Sequence, residues 1–135
     1  MIRTTGILLG LSLLAAATVA VRPAVAAAVL AESQTSATHP VAAVQAALDW
    51  RQRYTLQVDG PSGAPFTVAG VETYVDAGAT MAGSADRSGR FQGTAPYTLD
   101  LMAPQASLRY WHYAAVVTPT RGDNLVVRLV AADAS

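Results

Sequence analysis

The sequence predicts a mainly β protein: a small antiparallel β-sandwich, immunoglobulin-like in size, with one short N-terminal helix after a signal peptide. Seven or eight short segments alternate apolar and polar residues, which is the signature of half-buried strands. Turn residues separate these segments about every 8 to 12 positions, as in sandwiches and small barrels. No cysteine is present, so packing without disulfides must hold the domain together.

Residues 1–26 have the three parts of a secretory signal peptide. Arg3 gives a positive start, residues 7–21 are apolar, and the sequence Ala24-Val25-Ala26 is a small-residue cleavage site. The apolar run is shorter than the roughly 20 residues needed to cross a bilayer. We expect cleavage after Ala26 and export to the periplasm or the cell exterior. The alternative is an uncleaved N-terminal membrane anchor.

Removing residues 1–26 from the 135 leaves 109, enough for one domain. We divide them into a flexible tether at 27–39 and a single folded domain at 40–135. Every basic residue is an arginine, and the mature chain keeps seven of them against nine acidic residues. This balance argues against nucleic acid as a partner, because nucleic acid needs a clustered positive surface. The absence of lysine excludes Schiff-base chemistry.

A helix is predicted at 40–50, at the front of the domain. Pro40 suits the first turn of a helix, because its missing N–H has no partner there in any case. The apolar residues that follow recur at helical spacing and would cover a neighbouring surface. They are Val41, Val44, Leu48 and Trp50.

From Arg53 onward the period becomes two, and strands are predicted over 53–59, 97–101, 108–117 and 125–130. In the stretch PFTVAGVETYVD the apolar set shifts by one position. A bulge at Ala69-Gly70 or a division into two strands would explain the shift. Residues 76–93 are rich in glycine, alanine and serine and predict weak strands around a turn at 86–89.

The stretch 93–130 begins with GTAPYTLDL and resembles the PEGA-type modules of bacterial surface proteins, in which a G-x-T-P turn leads into a strand. The glycine-tyrosine pair expected later in that pattern is replaced by WHYAAV. The resemblance implies an extracytoplasmic β-module and assigns no family.

The run LRYWHYAAVV at 108–117 contains three of the nine aromatic residues. We predict that it forms a hairpin with the last strand around TPTRGDN, in which Gly122 suits a type II′ turn and an even loop. Because opposed residues of a hairpin share a face, Tyr110 and His112 then point into the core. The outer face would carry an aromatic-arginine patch suited to a sugar ring or a protein surface. Its residues are Arg109, Trp111, Tyr113 and Arg128.

Two alternatives would place Trp111 and Tyr113 in the core instead. A loop with an odd number of residues reverses the two faces of the strand. A helix at 40–50 packed over the patch would also bury both rings, and that helix must cover some surface.

Signals for catalysis are few. His39 and His112 are the only histidines, so paired-histidine metal sites have no support, and neither a metal nor a cofactor is predicted. The enzymatic alternative is a small hydrolase or lyase that uses His112 with a carboxylate such as Asp100. The RGD triplet at 121–123 matches the integrin-recognition tripeptide but is also ordinary turn chemistry.

These observations predict an exported, non-enzymatic binding or structural module of the periplasm or cell envelope. Its expected partner is a protein or a glycan bound by the aromatic-arginine patch. With an uncleaved N-terminal segment the chain would instead be a membrane-anchored accessory subunit.

Overall fold

The computed structural model describes residues 28–132, so the predicted signal peptide and its cleavage site lie outside the described residues. The described chain contains eight strands and one short 3-10 turn. They are β1 (Ala28–Gln34), β2 (Ala42–Ala47), β3 (Tyr54–Asp59), β4 (Pro65–Asp76), the 3-10 turn (Met81–Gly83), β5 (Ala85–Thr94), β6 (Tyr97–Leu101), β7 (Leu108–Pro119) and β8 (Val126–Ala131).

The strands form two four-stranded antiparallel sheets, which confirms the predicted mainly β fold class and agrees with a β-sandwich. The first sheet has the order β1-β8-β3-β6 and the second has the order β2-β7-β4-β5. Among consecutive strands only β4 and β5 pair with each other. Every other connection passes from one sheet to the other, so the loops collect at the two ends of the sandwich.

The core lies between the inner faces of the two sheets. The predicted alternation of β3 is confirmed, since Tyr54, Leu56 and Val58 are buried and the residues between them are only half-buried. Phe66 and Val68 of β4 pack in the same core from the second sheet. Full burial of each large apolar side chain stabilises the fold by about 2 kcal/mol.

The helix predicted at 40–50 is wrong, because residues 42–47 form β2. Ala42 and Val44 are buried, whereas Ala43 and Gln45 are exposed, so the segment follows a period of two. Its backbone pairs with β7, from Ala42↔Val117 to Ala47↔His112. A short isolated helix is marginal in water, and a free strand edge offers these alanine-rich residues a full ladder of hydrogen bonds.

The flexible tether predicted at 27–39 is also corrected, because residues 28–34 form β1 along the edge of the first sheet. The small and polar residues from 31 onward concealed the strand, since most of an edge strand is solvated and does not show a buried apolar face. Thr35 then fixes the turn that follows. Its hydroxyl donates to the Asp123 carbonyl at 2.8 Å and accepts from the Leu125 N–H at 2.8 Å.

β4 is one continuous strand and not the bulged or divided strand predicted at Ala69-Gly70. Its pairing with β5 and β7 keeps one register until Val75. The break in the apolar pattern therefore has another cause: Val71 points outward, and polar or small residues take inner positions. The inner face of β4 reads Phe66, Val68, Gly70 and Glu72.

The turn predicted at 86–89 is wrong as well, since β5 runs through these residues and the chain reverses at 77–84 instead. Residues 76–93 have a nearly uniform small and polar composition, so no local signal separates strand from turn there. Pairing with β4 decides the boundary.

Candidate functional site

The predicted hairpin of β7 and β8 does not form, because the two strands lie in different sheets. β7 pairs with β2 and β4, and β8 pairs with β1 and β3. The assignment of faces on β7 assumed that β7 and β8 were opposed, and it is wrong for that reason.

Trp111 and Tyr113 therefore lie in the core, where they are 1% and 5% exposed. The prediction that their rings form an outer face is wrong. Both rings are buried, as the two alternatives drawn from the sequence would place them. The cover is the opposite sheet and not a helix, since the Tyr54 ring lies 5.6 Å from the Trp111 ring between centroids.

The two arginines of the predicted patch are far from each other in the sandwich. Arg109 is exposed at the start of β7 in the second sheet. Arg128 lies on β8 in the first sheet, where its guanidinium bonds Glu32 at 2.6 Å and Asp59 at 2.9 Å. The four predicted binding residues thus do not form one surface.

Tyr110 and His112 are half-buried on the outer face of the second sheet, and not in the core as predicted. Their rings stack with centroids 6.3 Å apart. Asp100 is exposed on β6 in the first sheet, between the inward Leu99 and Leu101. Because His112 and Asp100 lie on opposite outer faces, the predicted catalytic pair does not form.

A different aromatic and cationic surface exists at the end of the sandwich where β1 begins. Three loops meet there, at 48–53, 77–84 and 102–107. Trp50 and Arg53 line a hollow of about 300 Å³ together with Met102, which is 59% exposed. A second hollow, of about 220 Å³, shares Trp50 and adds residues from the start of β7. We define the loop-end surface as Trp50, Arg51, Arg53, Met102, Arg109 and Tyr110.

The loop-end surface carries excess positive charge. Arg51 is paired with Asp49 at 3.0 Å, and hydrogen bonds from Arg51 hold the pKa of Asp49 below its usual value. Among residues 28–132 no carboxylate pairs with Arg53 or Arg109. The Arg51 guanidinium also lies 5.8 Å from the Trp50 ring centroid, within cation-π range. Arg109 also donates one N–H to the Ala79 carbonyl, and Arg53 lies 3.9 Å from the Met102 sulfur. A flat aromatic ring thus lies beside two guanidinium groups whose remaining donors have no carboxylate partner among residues 28–132.

A second polar cluster is buried between the sheets and involves two of the predicted site residues. Glu72 accepts a hydrogen bond from the indole N–H of Trp111 at 2.9 Å and another from Nε of Arg87 at 2.9 Å. These donors offset the cost of burying a carboxylate. Burial and the nearby Glu72 charge raise the pKa of Tyr113 to about 12.

The Tyr113 shift predicts a pH dependence of stability. A tyrosine in the unfolded chain titrates near 10, so between pH 10 and 12 the unfolded state releases a proton that the folded state keeps. The contribution of Tyr113 to stability is complete below pH 10 and is lost as the pH rises to 12. A spectroscopic titration of tyrosinate should show one of the five tyrosines ionising late. Tyr113→Phe should remove that late phase, and an unchanged titration would contradict the assignment.

No known protein family, curated protein or solved structure matches this chain. Within residues 28–132, no helix is both long enough and apolar enough to span a membrane. The same part of the chain holds no group of three potential metal-ligating side chains.

Sequence reasoning missed most of the loop-end surface because it assigned Trp50 to the end of a helix. One signal was present, since WRQR places a tryptophan and two arginines directly before a strand. Glu72 was missed for a related reason. The out-of-step apolar pattern of β4 marked its inward position but was attributed to a bulge.

Proposed function

We propose that this protein is an exported, non-enzymatic binding module of the periplasm or cell envelope and that it binds its partner through the loop-end surface. The supporting observation is the position of Trp50 between two hollows that Arg53 and Arg109 also line, two arginines that no carboxylate of residues 28–132 pairs with. Aromatic rings and arginines are the residues that most often dominate binding energy at interfaces. The proposal keeps the aromatic-arginine recognition expected from the sequence and moves it to different residues.

The chemistry of the surface indicates a partner that carries carboxylates, on a protein or on an acidic glycan. Arg53 and Arg109 can each offer two parallel N–H donors to a carboxylate. The Trp50 ring supplies a flat apolar contact for a sugar ring or an apolar side chain. The loops that carry these groups are held by the two sheets, as the backbone bond from Ala132 N–H to the Arg53 carbonyl illustrates.

Export is part of the proposal, and the signal-peptide pattern of residues 1–26 supports it. The first described strand begins at Ala28, so cleavage after Ala26 would leave every described strand intact. Sequencing the N-terminus of the native protein should give a start near Ala27. A start at or next to Met1 would favour the membrane-anchored accessory subunit instead.

Trp50→Ala should reduce capture of the partner from envelope extract by about 30-fold, the effect of truncating a strong interface residue. Its ring contributes little to the core, because it is only half-buried in a loop. The measurement is capture by the immobilised protein, with extract treated by protease or by periodate to distinguish a protein from a glycan.

The matched control is Arg121→Ala, which removes an exposed arginine at the opposite end of the sandwich. It should leave capture unchanged, whereas Arg53→Ala should lower it. If the Trp50→Ala protein is folded and captures as much partner as the wild type, the loop-end surface is not the binding site.

A further inference from the structure

The inner face of the second sheet has a gap where two glycines are paired across strands. Gly70 of β4 is opposite Gly89 of β5, in register with inward-facing neighbours on both strands. Neither glycine has a positive φ, so backbone conformation does not require glycine at these positions. A Cβ at Gly70 would lie 2.8 Å from the Tyr113 hydroxyl, which explains that glycine by packing.

Gly89 has no such explanation. A Cβ at this position would meet no atom within 4 Å, although its neighbours on the same face of β5, Arg87 and Phe91, both carry side chains over the interior. Glycine in a strand weakens it and often marks a place where another molecule approaches the backbone closely. At Gly89 its effect is to leave the space between the sheets open.

That space is a cleft of about 330 Å³ between the edge strands β5 and β6. Its walls are apolar side chains from both edges, and its inner end is formed by Gly70 and Tyr113. The volume is at the lower end of the range for small-molecule sites. The apolar wall residues are Phe91, Leu99 and Leu101.

The Tyr113 hydroxyl supplies one polar group inside this apolar cleft. The residue is only 5% exposed, and among residues 28–132 its hydroxyl has no hydrogen-bond partner. A tyrosine hydroxyl is protonated at neutral pH, so it can donate a hydrogen bond. A buried donor without an acceptor is costly, which makes a ligand oxygen at this point favourable.

Among the described residues that line the cleft, no charged side chain is left unpaired for an ionic ligand. Glu72 is bonded to both Arg87 and Trp111, so the carboxylate and the guanidinium at the mouth neutralise each other. A ligand anion or cation would lose its hydration without gaining a partner. The occupant that fits is therefore neutral.

We propose that the cleft between β5 and β6 binds a small, neutral, apolar molecule whose single hydrogen-bond acceptor, a carbonyl or ether oxygen, accepts from the Tyr113 hydroxyl. This site is separate from the loop-end surface, so either proposal can fail without the other.

The test uses Prodan, a neutral naphthalene dye with one ketone, whose fluorescence reports both polarity and hydrogen bonding. The protein as it is purified from its native source should bind Prodan saturably, and the emission of the bound dye should shift to the blue. Tyr113→Phe should weaken binding about fivefold, the effect of one hydrogen bond. The same variant should bind the parent dimethylaminonaphthalene, which lacks the ketone, as well as the wild type does.

Gly89→Leu should abolish saturable binding, because a Cβ at this position meets no atom within 4 Å and the rest of the leucine side chain would occupy the cleft. The matched control is Arg90→Leu, which places the same side chain on the next residue, on the outward-facing side of β5 opposite Ala69. It should bind Prodan normally, and thermal melting checks that both variants are folded. Equal binding by the Gly89→Leu and wild-type proteins would overturn the site, and equal Prodan binding by Tyr113→Phe would overturn the role of the hydroxyl.

Discussion

Replacing Trp111 with alanine is expected to lower the free energy of unfolding by about 4 kcal/mol or more. Trp111 is the largest side chain that is fully buried, so the substitution leaves a cavity that the two sheets cannot close. It also removes the indole N–H from Glu72, which leaves part of a buried carboxylate without a donor. Because domains of this size are stable by only about 5 to 15 kcal/mol, this loss is a large fraction of the total stability.

The chain provides its own control, because it has two tryptophans in different environments. Trp50→Ala, in a loop at the end of the sandwich, should change the free energy of unfolding by less than about 1 kcal/mol. Urea denaturation followed by circular dichroism measures both variants. The free energy of unfolding of Trp111→Phe should lie between those of the two alanine variants, since phenylalanine keeps an aromatic ring and loses the N–H. Equal midpoints for Trp111→Ala and Trp50→Ala would contradict the core position of Trp111.

Thr35→Val is expected to destabilise the fold by about 2 kcal/mol, although the two side chains have nearly the same shape. The Thr35 hydroxyl both donates to the Asp123 carbonyl and accepts from the Leu125 N–H, and the residue is 3% exposed. Valine leaves both backbone groups without that partner and creates no cavity. The cost arises from lost hydrogen bonds rather than from packing.

Calorimetry should show a fall in Tm of about 10 °C for Thr35→Val. Thr35→Ser keeps the hydroxyl and loses only a methyl group, so the Tm of this variant should fall by less. A serine variant that melts below the valine variant would show that the methyl, and not the hydroxyl, fixes the turn between β1 and β2.

The strands that could be predicted are those in which one face is apolar without interruption. In β3 the residues Tyr54, Leu56 and Val58 alternate with polar neighbours, and the structure buries them as expected. The alternation itself carries the physical signal, because successive side chains of a strand point to opposite faces. No knowledge of the neighbouring strand is needed to recognise it.

The segment 42–47 was not predictable in the same way. Its four alanines and one valine fit a helix and a strand about equally, and the spacing of Val41, Val44 and Leu48 favoured the helix. The free edge of β7 decided the outcome, and β7 is more than 60 residues away in the chain. Local sequence carries no information about an edge that remote residues create.

The candidate sites show the same division. Trp50, Arg51 and Arg53 are adjacent in the sequence, but Arg109 and Met102 join them only because three loops meet at one end of the sandwich. The sequence marks Trp111 and Tyr113 as aromatic residues of a strand, yet their burial depends on which strands flank β7. Gly70 and Gly89 lie together at the cleft only because the register between β4 and β5 places them opposite each other.

The sequence by itself determined that this chain is a mainly β, cysteine-free domain, because period-two alternation and composition are local properties. It also predicts a leader at 1–26, from the order of charge, apolar run and small residues. Only the tertiary structure decided which face of β7 is buried, which residues share the loop-end surface and where the sheets stay open. Those features depend on the sheet to which each strand belongs, and with six of the seven connections crossing between sheets, adjacency in the chain does not imply adjacency in space.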